Sequence, residues 1–201
     1  MKITAVEVYG LEESIVASGF PMMESPFSQT EFYSNALDVI EGDAEKAYKR
    51  AIKLGNTPIG SGHDQCLTGV IVQFNIEMPI KMSVEMQRYH FIDFVSSMST
   101  MHRLTKMDLN DAFDSYVDPV IIERVKELQK QYNENMTDRN YLRLIMSVPV
   151  GLNLQARMTT NYRQLKTIYN QRKTHRLPCW REFCDWCLTL PNFKELTGVE
   201  S

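Results

Sequence analysis

GVIVQFNIEM (69–78) sets Val70, Val72, Phe74, Ile76 and Met78 at every second position, which puts all five on one face of a β-strand. It is the clearest strand in the chain, and the elements around it decide the fold class. Upstream, a Gly/Ser turn at 60–62 follows a helical pattern through Ala44, Ala47, Tyr48, Ala51 and Leu54. Asp43 is placed to cap that helix and Gly55 to stop it. KITAVEVY (2–9) alternates as a second strand, and the polar, Pro-containing stretch after it, to about residue 35, reads as a loop over a site. Downstream of Pro79 the pattern turns helical. Pro119 opens a helix with Ile122, Val125, Leu128 and Tyr132 inward, and a shorter helix spans about 139–147. Pro149 and Gly151 end it, and residues 152–158 read as extended. A basic helix then starts near Asn161, and a last one carries Trp180, Phe183, Cys184, Cys187 and Leu188. Mixed strands and helices predict an α/β or α+β layer arrangement.

With 201 residues and 43% hydrophobic content, the chain suffices for one sizeable core, so a single domain over 1–201 is expected. No apolar run approaches the roughly 18 to 20 residues that span a bilayer. Neither a signal peptide nor a membrane span is expected. Four cysteines (Cys66, Cys179, Cys184, Cys187), three of them crowded near the C-terminus, do not make a secreted disulfide framework and point to the cytoplasm. The net charge of −3 hides an asymmetry: from Arg139 to Arg181 there is no acidic residue and nine basic ones. That segment suits a phosphate-bearing ligand, a solvated basic face or a nucleic-acid patch, and charge alone leaves the three open. The single lysine and few aromatics of its helix argue against nucleic acid.

Three segments, in order, resemble the flavin-dependent thymidylate synthases. SGHDQCLTGVIVQF (61–74) is similar to that family's Gly-His-x-Ser-x-Leu-Glu-His segment and the strand it leads into; Gly62, His63, Leu67 and Phe74 match, while Thr68 and Gly69 stand for the Glu-His pair. Residues 79–104 occupy the place of the signature Arg-His-Arg, seven residues, Ser-x-Arg. Counted from Pro79 and Ile80, Arg88 takes the first arginine, with Tyr89 and His90 for His-Arg, and Ser99 and Arg103 approximate the closing Ser-x-Arg. Glu85 stands for a glutamine that holds nucleotide in the family. PVGLNLQARMTTNYRQLKTIYNQR (149–172) keeps the Pro, Asn161, Arg163, Leu165 and Arg172 without a gap, and LPCWREF (177–183) follows with Trp180.

The resemblance implies a central, mostly antiparallel sheet flanked by helices. It implies reductive methylation of dUMP to dTMP, with FAD as cofactor and NADPH and methylenetetrahydrofolate as co-substrates. On it, Arg88 and Arg172 carry the chemistry, Glu85, Ser99 and Arg103 join them around dUMP, and Tyr89, His90, Ser96, Asn161 and Thr167 hold the flavin. Guanidinium groups suit phosphate or a uracil carbonyl through paired donors. A homotetramer with sites between subunits is implied as well. The alternative is a protein of the same fold that binds or modifies another pyrimidine nucleotide without the original chemistry.

His175, Cys179, Cys184 and Cys187 form the other constellation, but Phe183, Cys184, Cys187 and Leu188 also make an ordinary apolar helix face, and no metal is expected. The acidic run DLNDAFDSYVD (108–118) lacks the glycine and final Glu of a calcium loop and reads as a solvated helix surface. Twelve methionines read as core filling.

Overall fold

In the computed structural model, which describes residues 1–22 and 44–200, four strands form one antiparallel sheet in the order β1-β2-β4-β3. They are β1 (Lys2–Tyr9), β2 (Ile71–Pro79), β3 (Ile92–Ser97) and β4 (Asn153–Asn161). Nine α-helices are found among the described residues: α1 (Leu11–Ala17), α2 (Ala44–Gly55), α3 (Ile80–Met86), α4 (Thr100–Arg103), α5 (Pro119–Glu134), α6 (Asp138–Met146), α7 (Tyr162–Arg172), α8 (Pro178–Cys187) and α9 (Phe193–Thr197). The fold is α+β, as the mixed pattern implies. Contacts divide it into two compact units, Met1–Thr4 with Asn75–Tyr89 and Phe94–Met158, and Ala5–Phe74 with His90–Asp93 and Thr159–Ser201.

The alternation in β2 is real: Val70, Val72, Phe74, Ile76 and Met78 are all buried. The register with β4 follows from hydrogen bonds at the two ends of the pair. The Ile80 N–H donates to the Leu152 carbonyl over 2.9 Å, and the Tyr162 N–H to the Val70 carbonyl over 3.0 Å. Residues 77 and 155, and 75 and 157, are therefore opposite neighbours.

In the first unit, α5 and α6 pack over a core of Leu104, Leu109, Val125, Leu128, Leu144 and Leu152. Asp118 caps α5 by accepting from the Val120 N–H (2.8 Å), with Pro119 supplying the pre-set first turn. Gln129 ties α5 to the chain after α4, its Nε2 donating to the Leu104 and Met107 carbonyls. In the second unit, α8 supplies Trp180, Phe183, Cys184 and Cys187 to an aromatic core. The Phe74 ring lies 4.6 Å from that of Trp186 and Trp180 meets Phe183 edge-on at 5.9 Å.

Four expectations are corrected. The loop expected from residue 10 opens with α1; its continuation at 23–35, and Asp43 as a helix cap, lie outside the described residues. The run after Pro79 is not helical throughout, because β3 follows α3 as an edge strand whose one buried residue is Ile92. The 108–118 run is turns rather than a helix surface. Asp108 accepts from the Asn110 N–H and Asp114 from the Tyr116 N–H, the local bonding by which aspartate competes with helix. The helix holding Trp180 is followed by α9, opened by Asn192 in the left-handed region.

Candidate functional site

Because β2 and β4 bury one face, their other face carries the polar half of the alternation, and in the first unit this face is the floor of an open hollow of about 600 Å3. Lys2, Thr4, Asn75, Glu77, Gln155 and Arg157 supply the floor, and the stretch Ser96–Ser99 with Arg103 forms a wall. Cross-strand pairs order the floor. Gln155 Nε2 donates to Glu77 Oε2 (3.0 Å), and an Arg157 Nη donates to Asn75 Oδ1 (3.3 Å). The Met98 N–H donates to the Gln155 carbonyl (2.8 Å), which fixes the wall against the floor. Lys2, Arg103 and Arg157 against Glu77 leave an excess of positive charge in this hollow, whereas a smaller hollow of about 250 Å3, which shares Glu77, Met98, Arg103 and Gln155 with it, adds Asp108 and Asp111. The larger hollow attracts an anion and offers it charge-assisted donors, and the smaller, acidic one does not.

Of the residues expected to form a site, Ser96, Ser99 and Arg103 line this hollow. Glu85, Arg88 and Tyr89 belong to the same unit but not to its lining. Glu85 pairs with Lys81 over 3.3 Å, one turn earlier on α3, and Arg88 is exposed just beyond the helix. His90, Asn161, Thr167 and Arg172 belong to the second unit. There, Asn161 caps α7, its Oδ1 accepting from the Gln164 N–H (2.9 Å), and the Thr167 hydroxyl donates to the Arg163 carbonyl (3.2 Å). The Arg172 guanidinium lies 4.8 Å from the centre of the buried Trp180 ring. The sequence reading missed Lys2, Asn75, Glu77, Gln155 and Arg157. Their signal is their place between the apolar letters of strands, where a solvated residue looks the same.

The second unit also holds a buried ionic group. Asp64, 1% exposed, accepts from Arg163 Nε over 2.9 Å, and its other oxygen lies 3.7 Å from Lys166 Nζ. Lys166 donates to the carbonyls of Gly55 (2.7 Å) and Thr57 (2.6 Å) as well. Burial pulls its pKa below the ordinary lysine value, against the pull of Asp64. These bonds clamp the end of α2 and the following loop onto α7. Burial likewise pushes the Cys184 thiol up to about 12 and raises Cys187, so both are protonated at neutral pH. Among the described residues no group of His, Cys, Asp and Glu side chains is gathered to hold a metal ion, and no helix is long and apolar enough to cross a membrane.

No family model and no curated protein matches the chain. Its fold, however, is that of solved structures. A flavin-dependent thymidylate synthase ThyX from Helicobacter pylori, complexed with FAD and dUMP, superposes with a TM-score of 0.72 over 98% of this chain and 97% of that one, at 13% identity. A second structure of Helicobacter pylori thymidylate synthase X with FAD and dUMP gives 0.73 over 98% and 96%, at 14% identity.

Proposed function

We propose that the chain binds dUMP in the hollow of the first unit and acts on it as a flavin-dependent thymidylate synthase. The observation that carries this reading is the convergence of Arg103 and Arg157 on a polar sheet face beside Ser96–Ser99, in a fold shared with proteins solved with FAD and dUMP. The guanidinium groups and Lys2 supply phosphate with directed, charge-assisted donors, and the Ser96–Ser99 wall adds hydroxyls. For FAD the residues present fit in part: Ser96 lines the hollow, whereas Asn161 and Thr167 use side-chain oxygens to cap and brace α7. When bound and reduced by NADPH, FAD would supply the hydride, with methylenetetrahydrofolate as carbon donor. The protein's own part is to hold the nucleotide and polarise its base. A homotetramer in the cytoplasm, with sites completed between subunits, belongs to the same proposal.

The test is a titration of the purified protein with dUMP and FAD, followed by a search for dTMP after adding NADPH and methylenetetrahydrofolate. The reading expects dUMP to bind more tightly than deoxyuridine, a flavin absorption band in the reconstituted protein, and dTMP formation. Equal affinity for deoxyuridine and dUMP removes the phosphate site. Tight dUMP binding without flavin retention or product leaves a nucleotide-binding protein of this fold.

A further inference from the structure

Glu77 and Gln155 stand opposite each other on β2 and β4, in the floor of the hollow, joined by the 3.0 Å bond from Gln155 Nε2 to Glu77 Oε2. A carboxylate only accepts, so this bond settles which way the Gln155 amide is turned. The pair then offers the hollow an acceptor beside a donor: the remaining lone pairs of the carboxylate and the second N–H of the amide. Asn75 and Arg157 form the neighbouring cross-strand pair, about 7 Å along the strands. The Glu77 carboxylate, with Asp108 and Asp111 in the adjoining hollow, outweighs Arg103 and disfavours an anion at that end, whereas Arg157 attracts one. A ligand with an anionic end and a polar, uncharged end is thereby oriented along the floor, and the spacing between the rows is one that a single sugar bridges.

On the reading that the hollow takes a pyrimidine nucleoside monophosphate, we infer that Glu77 and Gln155 read the edge of its base. Glu77 accepts from the uracil N3–H, and the free N–H of Gln155 donates to the ring carbonyl next to it. N3–H and one of the two carbonyls flanking it are then met by one prearranged pair, while the phosphate lies toward Arg157.

The experiment is calorimetry on the full chain with dUMP, N3-methyl-dUMP and deoxyribose 5-phosphate, for wild type and Glu77→Leu. Wild type is expected to bind dUMP about tenfold or more tightly than N3-methyl-dUMP, the cost of leaving a carboxylate acceptor unmatched. In Glu77→Leu that ratio falls to near one, and deoxyribose 5-phosphate binds at least as well as it does to wild type. Tight binding of dUMP with no penalty for N3-methylation overturns the inference and leaves the proposed function standing. A penalty that survives in Glu77→Leu overturns it too. Absence of binding by all three ligands removes the nucleotide site altogether. If Glu77→Leu does not fold, Gln155→Met takes its place: it is expected to weaken dUMP severalfold and leave deoxyribose 5-phosphate unchanged, and an unchanged dUMP affinity overturns the inference.

Discussion

Lys166 Nζ lies 3.7 Å from Asp64 Oδ2, an oxygen with no hydrogen-bond partner, and both side chains are almost wholly buried. The ion pair is thus what compensates that oxygen. Removing the ammonium leaves Asp64 Oδ2 buried and uncompensated, with only Arg163 on the other oxygen, and also strips donors from the carbonyls of Gly55 and Thr57. Lys166→Met is expected to lose about 3 to 5 kcal/mol of stability, measured as a fall in the urea midpoint. An unchanged midpoint would mean that Arg163 alone suffices to hold Asp64.

Alkaline pH acts on the thiols of α8. Cys184 is pushed up to about 12, chiefly by burial and then by Asp185, from an ordinary value of 9.0. Below pH 9 the thiol is protonated in the folded and the unfolded chain alike, and its contribution to stability is intact. Between 9 and 12 the unfolded chain releases the proton and the folded chain keeps it, so stability falls as pH rises. Lys166 works in the other direction, since its lowered folded value makes its contribution rise with pH as the unfolded lysine approaches its own titration near 10.5. The test is chemical denaturation from pH 8 to 10.5 for wild type and Cys184→Ala. The variant should show the shallower alkaline loss, and parallel curves would contradict a buried, protonated thiol.

Arg157→Ala is expected to weaken dUMP binding by on the order of 1.5 to 3 kcal/mol, the range for a charge-assisted contact. Arg103, which lines the hollow close to Glu77 as well, should cost less when replaced. Calorimetry that gives the opposite order would move the phosphate to the Arg103 end.

Arg172 has a structural contact of its own in the ring of Trp180, 4.8 Å away. Arg172→Ala should therefore lower stability by roughly 0.5 to 2 kcal/mol, visible as a reduced melting temperature in the absence of ligand. A loss of dUMP affinity on top of this, with the fold intact, would place the residue at the nucleotide too. A melting temperature equal to wild type would leave the ring contact without energetic weight.

Phe91, 70% exposed, holds φ at 61°, a left-handed conformation costly for a residue with a bulky side chain. Its carbonyl accepts from the Thr160 hydroxyl over 2.8 Å, so the backbone is kept there by its partner. Phe91→Gly is expected to stabilise the protein by on the order of 1 kcal/mol. A destabilised variant in a urea titration would mean that the exposed ring makes contacts worth more than the strain.

What could be read from sequence followed how fully each element is buried. β2 is plain because one face is wholly buried, α5 because an inward stripe follows Pro119, and α7 because a basic helical run begins at Asn161. β3 escaped because an edge strand with one buried residue carries no alternation to detect. The turns of 108–118 escaped because an aspartate that bonds to the backbone two residues on has the same composition as a solvated helix face. Among the residues that line the hollow, Ser96, Ser99 and Arg103 stand out through a family pattern, whereas Glu77, Gln155 and Arg157 lie in the polar half of the strands, where nothing in the alternation marks them. Arg172, Asn161 and Thr167 were legible as positions, but not the bonds that their side chains make within α7 and to Trp180.

The two faces of β2 and β4 also divide the work of mutation. Letters that hold the scaffold and letters that face the proposed ligand alternate along one stretch of chain, so either set is free to drift without its neighbours. Substitution on the polar side can retune what is recognised at little risk to the core, which gives one physical route by which 13% identity coexists with a shared backbone. Insertion or deletion has no such freedom. A single residue lost between Ile76 and Met78 would slide the remainder of β2 by one place, exchanging the two alphabets and turning the polar face inward in one event.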